Sequence, residues 1–77
     1  MHSFNIIIRS IHQVQEFVSL AMVQPFEVLV GNDNQQVNGK GFIGMFSLNY
    51  ADPVKVTVKC SDEEFSQFRH AVAKLIA

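Results

Sequence analysis

Val54, Val56, Val58 and Cys60 alternate with Lys55, Thr57 and Lys59. A period of two with branched apolar side chains on one side describes a strand with one buried and one wet face. That buried face restricts the chain more than any other feature, because something of matching apolar width has to lie across it. The device recurs at lower strength. Phe4, Ile6 and Ile8 alternate with Asn5 and Arg9 over a strand expected at 4–9, with Ile7 alone breaking the pattern, and Phe26, Val28 and Val30 alternate with Glu27 and Leu29 over 25–31. Such one-sided strands fit an antiparallel or mixed sheet covered on one face. Gly31-Asn32-Asp33-Asn34 follows the second strand. Gly and Asn tolerate positive φ, so a tight hairpin is expected there. It leads into a short polar edge strand over 35–38, whose lack of large apolar side chains discourages edge-to-edge association.

Two amphipathic stripes are available to cover the sheet. Ile11, Val14, Phe17, Val18, Ala21 and Met22 recur at offsets of three and four, as do Phe65, Phe68, Val72, Leu75 and Ile76. Each stripe opens on a capping-box pattern, Ser10 with Gln13 and Ser61 with Glu64, and Pro25 stops the first helix. Asp62, Glu63 and Glu64 are first-turn residues that complement the helix dipole. The expected order is strand, helix, strand, strand, short helix, strand, helix, with both long helices on one sheet face. That is an α/β (α+β) open-faced sandwich on a four-stranded, mostly antiparallel sheet. If the first two strands are parallel, their helical crossover is right-handed and the fourth strand can fill the gap between them. Patterning alone also allows a ferredoxin-like strand order.

At 77 residues the chain is read as one domain over 1–77, and a chain of this size buries only about 60% of its unfolded surface, so each core side chain matters. A formal net charge of −1 leaves no basic field to attract nucleic acid or anionic lipid. No run approaches the ~18 apolar residues of a membrane span, and no signal-peptide pattern is visible, so neither export nor anchoring is expected. The lone Cys60 excludes an internal disulfide framework and suits a reducing compartment, which makes the cytoplasm the expected location. Cys60 ends the inward face of the last strand and reads as a small core residue. His2, His12, His70 and Cys60 lack metal-ligand spacing, and Gly39-Lys40-Gly41 lacks the arrangement of a phosphate-cradling loop, so no metal and no cofactor are expected.

What remains is Gly41-Phe42-Ile43-Gly44-Met45-Phe46-Ser47-Leu48, in which Phe42, Ile43, Met45 and Phe46 flank Gly44 directly after Gly41, outside any element of ordinary length. Such a cluster is covered either by the protein's own core or by a partner. With Lys40 in front, the run resembles the Lys-Ser-Ile-Met-Gly-Val-Met-Ser-Leu signature of HPr, the histidine-containing phosphocarrier family of the sugar phosphotransferase system; Lys40, Gly44, Ser47 and Leu48 coincide. The resemblance extends to the element order along nearly the whole chain. It implies the HPr strand order one-four-two-three and a cluster of Phe42, Ile43, Met45 and Phe46 that is partly core plug and partly docking patch. It also implies Enzyme I and sugar-specific phosphotransferase components as partners.

In HPr the phosphorylated histidine lies in an Ile-His-Ala-Arg-Pro motif directly after the first strand. Ile11-His12-Gln13-Val14-Gln15 occupies that place here, with the family's spacing to the second strand. The resemblance therefore makes His12 the phosphoryl acceptor. The family's arginine and proline are replaced by Val14 and Gln15. Transfer between imidazoles spreads negative charge that a guanidinium and free helix N–H groups ordinarily support; Val14 supplies none, and Arg9, three residues upstream of His12, is the candidate replacement. The Ser10 cap also places His12 inside the first turn. The serine that opens the signature and carries regulatory phosphorylation in many HPr proteins is Gly41 here, so that switch cannot operate at this position. Two functions follow as expectations: a phosphoryl carrier acting through His12, or a degenerate HPr-like protein-binding and regulatory module that kept the docking surface without phosphotransfer.

Overall fold

A computed structural model describes residues 1–32 and 34–77. The alternation at 54–58 forms β4 (Val54–Val58), and its three valines are buried. β4 is a central strand, with β1 (His2–Ile6) on one side and β2 (Val28–Gly31) on the other, both antiparallel to it. β3 (Gln36–Asn38) pairs with β2 at the far edge, giving the order β1-β4-β2-β3. The register lines up one apolar face: Phe4 and Val30 both lie opposite Val56, and Ile6 lies opposite Val54. α1 (Ile11–Met22) and α3 (Asp62–Ala71) cover this face, while α2 (Phe42–Phe46), which follows β3 in the chain, packs against α1 and β3. Phe68 of α3 is the hinge of the packing, with its ring edge-on to Phe17, Phe26 and Phe4 at centroid distances of 6.0, 5.7 and 6.2 Å. This is the open-faced α+β sandwich expected from the patterning. No helix among the described residues is long and apolar enough to cross a membrane.

Several expectations are corrected by packing. β1 covers His2–Ile6 rather than 4–9, because β4 offers partners only as far as Val54. Beyond that point the chain finds a different neighbour. Ile7 N–H donates to the Leu75 carbonyl at 2.7 Å, Ile6 bridges Ile76, and Ala77 N–H donates to the Asn5 carbonyl at 3.0 Å. Ile76 is therefore extended rather than helical: α3 ends at Ala71, a 3₁₀ turn follows over Ala73–Leu75, and the tail lies along the outer edge of β1, covering an edge that would otherwise be open. β2 begins at Val28, although Phe26 is buried as expected. Cys60 lies two residues beyond β4 and is half-buried.

Both ends of the α1 stripe overhang the core. Val14, Phe17, Val18 and Ala21 are buried, whereas Ile11 and Met22 are exposed because no sheet or helix lies beneath them. The turn after β2 is held by Asn32, whose side-chain oxygen accepts from Asn34 and Gln35 N–H, while its own N–H donates to the Gln35 carbonyl. Asp33, part of the expected hairpin, lies outside the described residues. No glycine among the described residues has positive φ. Gly31 is needed for a different reason: a Cβ there would sit 2.0 Å from the Gln35 carbonyl oxygen.

Candidate functional site

The site grows from the junction of β1 and α1. Ser10 adopts extended backbone angles and caps α1, its hydroxyl accepting from Gln13 N–H at 3.2 Å. The reciprocal arm goes one residue further back than a capping box requires, since Gln13 Oε1 accepts from Arg9 N–H at 2.6 Å. The helix starts at Ile11, so His12 occupies the second position of the first turn, as the Ser10 cap predicts. Its side chain is 80% exposed. Among the described residues the N–H groups of Ile11 and His12 have no protein acceptor, whereas those of Arg9, Gln13 and Val14 are taken. Two donors at the positive end of the helix thus remain free beside the imidazole.

Two residues that sequence reasoning missed complete its surroundings. His12 Nε2 lies 3.7 Å from Glu16 Oε1, and Glu16 Oε2 lies 2.8 Å from Lys74 Nζ. The hydrogen bond from the Lys74 ammonium holds the Glu16 carboxyl below its usual range against the opposing effect of burial, with the charges of Lys74 and His12 adding to it. Glu16 was readable as the residue four positions after His12, on the same helix face. Lys74 gave no local signal, because the 3₁₀ turn that brings it over α1 is a tertiary event.

Arg9 and His12 are not brought together. Arg9 lines an apolar groove of about 640 Å³ with Ile8, Ile11, Val14, Phe46 and Tyr50, while His12 lines a separate shallow hollow with Gln15, Glu16 and Leu20. Val14, standing where the HPr motif has its arginine, is buried in the core.

α2 resolves the apolar cluster. Phe42, Ile43 and Phe46 are exposed, with the Phe42 and Phe46 rings stacked at 6.2 Å. Met45 is corrected: it is fully buried, and the Tyr50 hydroxyl donates to its carbonyl, so it anchors α2 instead of joining the surface patch. Burial at this anchor pushes the Tyr50 hydroxyl up to about 12. Gly41 caps α2 with ordinary extended angles and offers no side-chain hydrogen bond. Lys40 donates to the Gln24 carbonyl at 2.7 Å and ties the start of α2 to the end of α1. Elsewhere, burial and the Glu64 carboxylate push the Cys60 thiol up, with Asp62 adding and the N-terminal ammonium opposing. Among the described residues no group of three or more His, Cys, Asp or Glu is placed to hold a metal ion.

Fold and site define a small open-faced sandwich that presents a histidine in the first turn of its first helix. The structure is similar to a crystal structure of HPr-C-His from Thermoanaerobacter tengcongensis, with 26% identical residues, 99% of this chain and 91% of that chain covered, and a TM-score of 0.78. No protein-family model and no curated protein matches the sequence. The chain is an HPr-like protein.

Proposed function

We propose that residues 1–77 act as one HPr-like unit and serve as a phosphoryl carrier of the phosphoenolpyruvate-dependent sugar phosphotransferase system, with His12 as acceptor. The observation that carries this reading is the exposed imidazole in the first turn of α1, beside the unpartnered N–H groups of Ile11 and His12. Those donors and the helix dipole stabilise phosphoryl oxygens. Enzyme I and sugar-specific components are the partners this implies. Phe42, Ile43 and Phe46 form the docking patch, with the Arg9 groove between it and the site, so the Arg9 guanidinium can support phosphoryl oxygens once a donor spans both hollows. Incubation with Enzyme I and phosphoenolpyruvate should add one acid-labile phosphate, abolished by His12→Ala. Arg9→Ala should slow acceptance about 10-fold, which is ~1.4 kcal/mol of barrier. No labelling under conditions that label an authentic HPr would end the carrier reading.

The replacement of the motif's arginine by the buried Val14 favours a second reading, a binding and regulatory module without phosphotransfer. It rests on the same exposed patch, since aromatic side chains in such patches commonly carry more than ~1 kcal/mol of binding each. Phe46→Ser is the informative change, because Met45→Ser would damage the core. Retention of every captured partner by a stably folded Phe46→Ser variant would leave α2 as a plug alone.

A further inference from the structure

We infer that the face formed by α1 and α2 binds a second copy of this chain, each copy setting Ile43 into the apolar groove of the other. Two complementary features lie side by side there. One is the groove of about 640 Å³, whose apolar lining includes Ile8, Ile11, Val14, Phe46 and Ala51 and whose one charged residue is Arg9. The other is a knob, Ile43, 89% exposed on the outward side of α2. Phe46 joins the two, since it walls the groove and its ring stacks on Phe42, the residue before Ile43. Ile11 and Met22 extend the apolar surface along α1. They are three helical turns apart and so share one ridge, the one that faces α2. At one end of it Ile11 meets Phe46 in the groove, and at the other the Lys40 bond to the Gln24 carbonyl holds the start of α2 against the end of α1.

The size of this surface fits a contact between copies. Ile11, Met22, Phe42 and Phe46 are between 40% and 67% exposed. At roughly 200 Å² for a large apolar side chain, they and Ile43 leave on the order of 500 Å² of apolar surface open. A standard interface takes ~800 Å² from each partner and a homodimer's is ~65% apolar, which asks for about the same area. Charge selects the same occupant. From Ser10 to Pro25, Glu16 is the only formally charged side chain, and it is paired with Lys74; from Gly41 to Ala51 there is none. A strongly charged partner would lose the hydration of its charges here with little but Arg9 to pair them, whereas a second copy brings the same uncharged face. A net charge of −1 adds little repulsion between copies. Because knob and groove share one face, a two-fold axis between them satisfies both contacts at once, and association closes at a dimer instead of running on as a fibre. Copies paired in this way have Phe42, Ile43 and Phe46 covered, so any partner that docks there competes with the dimer.

The test is sedimentation velocity on the full chain over a concentration series. A contact of this size and few anchors should give a Kd on the order of 10 µM, so the series runs from about 1 to 500 µM and the sedimentation coefficient should rise from monomer to dimer. Ile43→Lys on the knob and Ala51→Lys on the groove wall should each weaken association at least about 10-fold. Val23 is as open as the knob, at 76%, but stands about 100° round α1 from Met22 and off this ridge. Val23→Lys makes the same change of charge there and should alter the Kd by less than about twofold. All three positions are exposed, and thermal melts check that the variants stay folded. A chain that remains monomeric at the highest concentration overturns the inference and leaves this face to other proteins. Equal weakening by Ile43→Lys and Val23→Lys, or none by Ala51→Lys, also overturns it, because the contact would then not be a knob seated in a groove.

Discussion

Val56 lies at the middle of β4 with no exposed surface, opposite Phe4 on one side and Val30 on the other. Val56→Ala removes two buried carbons, about 1.6 kcal/mol of transfer free energy at ~0.8 kcal/mol per methylene. Neighbours on both flanking strands are fixed by backbone pairing, so the void cannot collapse fully, and a cavity of about 30 Å³ adds ~0.7 kcal/mol. The expected loss is therefore about 2–3 kcal/mol, against a total stability on the order of 4–12 kcal/mol for a domain of this size. In urea the midpoint should fall at unchanged slope, and the melting temperature should drop by roughly 8–20 °C. Thr57→Ala, on the wet face of the same strand, is the control and should change stability by less than about 0.5 kcal/mol. Equal midpoints for Val56→Ala and Thr57→Ala would refute the assignment of the strand faces and, with it, the placement of both helices.

Ser61→Ala removes the hydroxyl that accepts from Glu64 N–H at 3.1 Å and should cost about 0.5–2 kcal/mol; Ser10→Ala should cost a similar amount, both read by chemical denaturation. Gly31→Ala forces a Cβ against a backbone carbonyl that cannot swing away, so about 1–3 kcal/mol should be lost and the β2–β3 amides should exchange faster with solvent. For Tyr50 the folded-state value is raised, so its contribution is intact below its ordinary value near 10 and fades as pH rises towards about 12. Tyr50→Phe should show a smaller alkaline loss of stability across that window than the unmodified chain; identical pH profiles would refute the buried-hydroxyl account.

How far the sequence could be read depends on whether a feature is local. Val54, Val56 and Val58 announce their face because alternation is a property of the strand itself, and Ser61 with Glu64 announces the start of α3 for the same reason. Ile11 and Met22 satisfy the helical period as well as Val14 does, yet periodicity does not say where the sheet beneath a helix ends. A five-residue helix such as α2 turns too few times to reveal which side is inward, so Met45 and Phe46 could not be told apart until α2 was seated on the core. The strand order came with the HPr resemblance, not the patterning. His12 was legible from its motif position and cap, whereas the partner Lys74 depends on a tail that leaves its helix to lie along β1.

The strand order has a consequence for how the molecule is made. β4, the strand that joins β1 to β2, is the last of the four to leave the ribosome. Until it emerges, only the β2–β3 pair can form, and β1 has no strand to pair with. Pairings such as Phe4 with Val56 come from opposite ends of the chain, so their loop-closure entropy must be met before any of the sheet's stabilisation is returned. Folding is in this sense a single late event. A chain interrupted before Val54 should behave not as a smaller version of this domain but as an unfolded polypeptide, with Ile6, Val28 and Val30 exposed to whatever binds nascent apolar strands.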